Sequence, residues 1–371
     1  MRAHPSRTSA LLVGLVLLGT AITAAPAAAA ASGPACGSTL TVDTTLVRDL
    51  RCHGDGLTLA RGVSLDLGGH ELSGDGTGRA VVVLGNADAA VRHGRIEHWA
   101  AGVVVLGQES SAAGPALTLE RVNLHRAPSS VDEASVTLSA STLTRADLSV
   151  VDSYLTVVRS RVDRSDIDVA GVLQLDHVRL TRSAIDADSG TVHLTDSVLD
   201  GHGRDIAPIS CGDGEHTILR STVKRFGRPM DALESCTATV QDSTFSRNAH
   251  GVFVSPLSPS SRTGQILTVS SSTFDHDATA ITGQGFVVNT STFTRNRTGI
   301  RTDGPANVYS SAFRHNSRDG LHASAGSVLL QDDLAVHNHR YGLYAPGSLD
   351  EGGNRAHDNG KADCVGVACT P

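Results

Sequence analysis

Ser291-Thr292-Phe293-Thr294-Arg295-Asn296 and Ser311-Ala312-Phe313-Arg314-His315-Asn316 are two copies of one unit: small polar, aromatic, two polar, asparagine. It recurs as Ser243-Thr244-Phe245-Ser246-Arg247-Asn248 and Ser272-Thr273-Phe274-Asp275-His276-Asp277, and weaker copies end at Asn338 and Asn359. The closing Asn or Asp falls at 248, 277, 296, 316, 338 and 359, in steps of 29, 19, 20, 22 and 21, and the long step matches an insertion at 256–263. Upstream, the apolar position of the unit is Leu124, Leu143, Val162, Leu180, Leu199 and Val223, in steps of 19, 19, 18, 19 and 24. A period near 20 residues over most of a chain marks a stacked repeat, in which each unit buries its apolar face only against its neighbours.

Between these units lie short stretches rich in Val, Leu, Ile and Thr, such as 136–138, 172–175 and 191–194, which read as strands of three to five residues. With no helical pattern between them, βαβ units and a TIM barrel are excluded. A solenoid of about a dozen coils, with three short strands per coil stacked at the interstrand spacing of about 4.8 Å, satisfies both period and backbone. Gly251-Val252, Gly299-Ile300, Gly320-Leu321 and Gly342-Leu343 read as turns feeding the next strand. The composition agrees: 371 residues with 40% hydrophobic but only 3% aromatic side chains make a core of thin aliphatic layers. Phe245, Phe274, Phe293 and Phe313 should stack inside. So should the ladder Asn248, Asp277, Asn296, Asn316 and Asn338, its side chains satisfying turn backbone groups from coil to coil.

Arg2 and Arg7 followed by an apolar run from Ala10 to Ile22 and an alanine-rich stretch read as a secretory signal peptide over 1–31. No twin-arginine pair precedes it, which favours export of an unfolded chain without a cytoplasmically loaded cofactor. The mature balance is then 29 basic against 38 acidic residues, so nucleic acid is not an expected partner, nor is a membrane after cleavage. Cys36, Cys52, Cys211, Cys236, Cys364 and Cys369 form an even set in an exported chain, for which disulfides are the default over zinc. Fifteen connectivities exist, and the close pairs in chain order are Cys36–Cys52, Cys211–Cys236 and Cys364–Cys369. The outer two would clasp the end coils as caps at 32–56 and 352–371.

The repeat, together with Val63-Ser64-Leu65-Asp66-Leu67-Gly68-Gly69-His70-Glu71-Leu72-Ser73-Gly74, resembles the opening and coils of right-handed parallel β-helix proteins of the pectate-lyase-like superfamily, over roughly 36–363. The resemblance implies an all-β, secreted, single-domain solenoid over 32–371. That superfamily hosts lyases, hydrolases, epimerases and adhesins, so function must come from the site.

Three patterns in the chain bear on chemistry. Thr302-Asp303-Gly304, Gln331-Asp332-Asp333 and Gly201-His202-Gly203 look like pieces of the β-helix galacturonan hydrolase motifs. Their order is wrong and no Arg-Ile-Lys occurs, so the paired carboxylates of an inverting hydrolase are not assembled. A lyase-type pattern needs acidic calcium ligands and a basic residue to take the proton beside a uronate carboxylate. Aligning Leu199 with Val223 stacks Asp200 on Lys224 and sets Arg204 beside Arg228, near Arg247 and His250. The expected catalytic group is Lys224, Arg225, Asp200 and His202, with Asp196 and Asp200 as metal ligands if calcium binds; no calcium-loop signature is present. The bland alternative is an exposed Asp200–Lys224 ion pair. The third pattern is the column one residue before the Asn ladder, Arg247, His276, Arg295, His315, His337 and Asp358, which would grip an acidic polymer or simply face water. Arg204, Arg228, Arg247, His250, His315 and His337 are thus the expected substrate-binding residues. Tyr341 and Tyr344, with His339 and Arg340, read as an end cap or a surface for a sugar ring.

The expectation is a monomeric extracellular protein that binds or modifies a polysaccharide, by β-elimination or epimerisation rather than hydrolysis if it is catalytic. The alternative is a non-catalytic envelope scaffold or adhesin.

Overall fold

The computed structural model describes residues 33–84, 88–106, 116–187, 189–204, 208–255, 267–324 and 328–371. The expected signal peptide and the 256–263 insertion lie outside them. Every regular element among the described residues is a strand, and every strand pairing is parallel.

One coil shows the plan. Thr298–Thr302, Ala306–Tyr309 and Ala312–Arg314 pair respectively with Leu321–Ala323, Val328–Gln331 and Leu334–Val336 of the next coil. The chain thus winds a parallel β-helix of about 14 turns, two more than the dozen expected, with three sheets along its length. The first coil already begins at Thr39–Leu40, and strands continue to Ala362–Val365. Several strands are longer than the period predicts. Leu148–Val158 serves two sheets, because one left-handed residue at Asp152 bends it without ending it.

The interior is a set of columns. In the third sheet Leu124, Leu143, Val162, Leu180, Leu199 and Val223 lie in register and are buried. Phe245, Phe274, Phe293 and Phe313 continue this column, with successive ring centroids 5.0 Å apart and rings nearly parallel. A parallel in-register sheet puts like residues on top of one another, and flat rings tolerate that better than branched chains of equal volume.

From His93 to His337 two corners per coil are made by single non-glycine residues at positive φ. At one corner the left-handed residue is followed by a buried serine whose hydroxyl accepts the N–H of its counterpart one coil earlier, running Ser197, Ser221, Ser243, Ser272, Ser291 and Ser311. Asp333 and Asn354 then take the serine's place. At the other corner Asn248, Asp277, Asn296, Asn316 and Asn338 are buried, and each side-chain Oδ1 accepts the backbone N–H one coil before it. Left-handed residues cost about 1 to 3 kcal/mol each, and these ladders recover that cost by satisfying corner N–H groups that no strand pairs.

The glycines before the first sheet are not positive-φ turn residues. A Cβ on Gly320 would sit 2.5 Å from the Gly342 carbonyl oxygen, so glycine is there to let coils approach. Cys36–Cys52 closes the first coil, Cys364–Cys369 the last, and Cys211–Cys236 ties two neighbouring coils of the first sheet.

Candidate functional site

The left-handed corner before the Asn ladder decides which side chains face water. Reversing the chain in one residue turns the next side chain inward, so the corner residue itself points out. Arg247, His276, Arg295, His315 and His337 hold this position at φ between 54° and 59°, and all are exposed. The same corner carries Arg126, Arg145, Arg164, Arg182 and Arg225 in earlier coils. The result is a stripe of cationic or titratable residues, one per coil, along one edge. His315 and His337 stack at 5.0 Å, and Asp358 ends the run, 3.9 Å from His337.

Beside it an open groove of ≈ 680 Å³ is lined by Gly203, Arg225, Gly227, Arg247, His250 and His276, among others. Its floor is anchored from below. Asp200 is fully buried at the end of its third-sheet stretch, where later coils carry Lys224 and Ser246. Arg225 donates to both Asp200 oxygens, through Nε at 2.8 Å and through Nη2, and the His202 N–H donates at 3.3 Å. Lys224 Nζ lies 3.9 Å and His202 Nε2 3.8 Å from Oδ2. Burial acts to raise the Asp200 carboxyl, but the Arg225 hydrogen bonds, the His202 N–H and the charges of Arg225 and His202 outweigh it and hold it below the usual range. The same bonds raise the Arg225 guanidinium.

The structure brings Asp200, His202, Lys224 and Arg225 together, but not as an exposed pair: the carboxylate is a buried anchor. Arg204 is elsewhere. Gly203 and His202, both at positive φ, shift the register so that Arg204 pairs with Phe226 rather than reaching Arg228. Its guanidinium turns back to Asp166, at 2.9 and 3.3 Å. Arg228 bonds Asp231 at 2.9 Å and lies over the Phe253 ring. Asp196 has both oxygens bonded by Arg220, at 2.8 and 2.7 Å, and these bonds lower its carboxyl. Asp196 and Asp200 thus each have an arginine partner, and Asp196 groups with Asp176 and His177 instead of with Asp200.

Sequence reasoning missed a second groove of ≈ 570 Å³, on the first sheet, bordered by Asp147, Asp166, Asp168 and Asp186 and crossed by Arg204. Asp168 and Asp186 are in register one coil apart. The only signal was an Asp at equal phase in 166–168 and 185–186, which is invisible until the coil length there is known to the residue.

The coil-to-coil parallel pairing defines a parallel β-helix protein. No family model matches the chain, and no curated protein matches it. Among solved structures it is similar to the A-module of the Azotobacter vinelandii mannuronan C-5 epimerase AlgE6, at 13% identity and TM-score 0.40, covering 91% of each chain. It is similar also to the catalytic domain of a GH87 alpha-1,3-glucanase in complex with nigerose (11%, TM-score 0.43, 90% of this chain and 63% of that one). A third is the catalytic unit of a thermostable GH87 alpha-1,3-glucanase from Streptomyces thermodiastaticus strain HF3-3 (10%, TM-score 0.44, 79% of this chain and 64% of that one). The chain thus spans less than two thirds of the glucanase units.

Proposed function

We infer that this protein works outside the cytoplasm and binds an acidic polysaccharide along the groove beside the corner stripe. The observation that carries the reading is the corner geometry: in a chain of net charge −7, one position per coil from His98 to His337 is turned outward by its backbone and filled with Arg or His. Charges repeated at the coil spacing of about 4.8 Å suit a polymer better than a small molecule. Three disulfides agree with an oxidising compartment, and no helix among the described residues is long and apolar enough to cross a membrane.

The test is affinity electrophoresis and ultraviolet absorbance of unsaturated uronate on pectin, alginate, hyaluronan and an uncharged glucan, with calcium and then with chelator. Binding to the acidic members that weakens in Arg247→Ala supports the reading; equal retardation by the glucan overturns it. If unsaturated product forms, Lys224→Ala should abolish it with folding intact, since Lys224 lies 3.9 Å from the buried Asp200 without a hydrogen bond to it, and the Arg225 hydrogen bonds to that carboxylate remain. Arg225 is a poor reporter because its removal strands Asp200.

A further inference from the structure

The last coils carry a second cationic surface that the groove does not use. Arg297, Arg318, Arg340 and Lys361 follow one another on four successive coils, each N–H bonded to the carbonyl oxygen of the one before, at 2.7, 2.8 and 2.6 Å. Of these only Arg340 has a carboxylate near it among the described residues, Nε to the buried Asp319 at 3.7 Å. Arg301 is a further exposed cation with no ion pair among the described residues, and it is in register with His322 and then Tyr344 on the outer face of the first sheet.

Here the ladder meets aromatic rings. His322 stacks on Tyr344 at 4.7 Å with planes 10° apart, and Tyr344 contacts Tyr341 at 4.8 Å. The Lys361 ammonium and the Arg340 guanidinium lie over the Tyr341 ring, at 4.9 and 5.3 Å from its centre. All three rings are partly exposed. Asp319 holds the cluster from beneath: it accepts the Tyr341 N–H at 3.3 Å and lies 3.5 Å from His322 Nδ1. Burial first, and then the charges of Arg301, Arg340 and Arg318 against the opposing Asp319, push the His322 imidazole below its ordinary value.

The geometry points to a second glycan-binding site on the C-terminal coils, where Arg297, Arg318, Arg340 and Lys361 hold the anionic groups of an acidic glycan chain lying along the helix axis and the Tyr344–His322 stack turns its partly exposed ring edges toward one of its sugar rings. The proposal rests on the acidic-polysaccharide reading above, applied to a different surface. One cation per coil at about 4.8 Å matches one charged group per pyranose residue, so carboxylated and sulfated chains share the required chemistry. The aromatic strip separates this surface from a plain cation ladder, because rings contribute contact area to a sugar face that salt does not screen.

Arginine and lysine footprinting with peptide mass spectrometry reads both surfaces in one experiment, on the full mature chain with polygalacturonate oligomers, dextran sulfate or uncharged dextran. The expected result is slower modification of Arg318, Arg340 and Lys361 with either polyanion and no change with dextran. Protection by dextran sulfate alone keeps the site and makes its ligand a sulfated glycan. Protection confined to Arg225 and Arg247 overturns the second site and leaves the groove standing; protection confined to the C-terminal ladder does the reverse; protection nowhere overturns both. In the Arg318→Ala/Lys361→Ala variant affinity should fall several-fold and its salt dependence should flatten. Tyr344→Ala should weaken binding with the salt dependence retained, and equal affinity in both variants and the parent protein overturns the proposal.

Discussion

At the scale of single residues, the exceptions in the ladders are the most informative. Asp277 and Asp333 occupy positions where neighbouring coils have Asn or Ser, and each leaves one carboxylate oxygen buried without a partner. Burial pushes Asp277 up to about 7 and Asp333 up to about 8, with Asp275 and Asp332 adding smaller charge repulsion. Both then bind a proton in the folded state that the unfolded chain has already released, so the stability these two groups contribute is fully present below about pH 4 and is lost as pH rises through about 7 to 8. Asp277→Asn and Asp333→Asn should raise the melting temperature at pH 8, by on the order of 1 to 3 kcal/mol of stability, and flatten its fall with pH. Thermal melts from pH 5 to 8 check this; variants that melt below the parent protein at pH 8 would contradict it. In the same ladder Asn296→Ala or Asn316→Ala leaves buried N–H groups unpaired and should cost about 1 to 3 kcal/mol. Unchanged melting in both would remove the ladder as a source of stability.

At the scale of elements, each strand is too short to be stable alone, and its place is set by the columns it joins. Phe293 touches a ring above and a ring below, so Phe293→Ala opens a cavity in the middle of the stack and should cost about 3 to 5 kcal/mol, more than truncating Val223 where the column is aliphatic. Denaturant melts of the two variants give the comparison. The Cys211–Cys236 bridge, closing a 25-residue separation, should contribute about 3 kcal/mol by restricting the unfolded chain, measured as the difference between the parent protein and the Cys211→Ser/Cys236→Ser variant with the other two bridges intact. Both corners of the coil follow from one device, a left-handed residue and an inward acceptor. That pairing explains why Arg and His are exposed where Asn is buried beside them.

For the whole molecule, acidic residues border the first-sheet groove of the earlier coils, while arginine and histidine line the corner edge of earlier and later coils alike and further cations gather on the outer face of the last ones. Binding to a uronan should therefore weaken steeply with added salt despite the net negative charge, which a salt series in affinity electrophoresis would measure. The period of about 20 residues, the Phe positions and the Asn positions were legible in the sequence, because a parallel in-register stack repeats the same environment and so selects the same residue type. The serine ladder was half visible, as the small polar residue opening each unit. What the sequence could not show lies where the register breaks or where distant coils meet. Arg204 leaves its expected neighbour because Gly201-His202-Gly203 adds residues to one coil, and no local pattern says which way the added length folds. Asp200 looked exposed by its charge and is buried by the register that lays Arg225 across it. Period and composition are properties of one coil and are written in its residues; ion pairs, grooves and the Tyr344–His322 surface belong to the stacking of coils about 20 residues apart, and only the tertiary structure decides those.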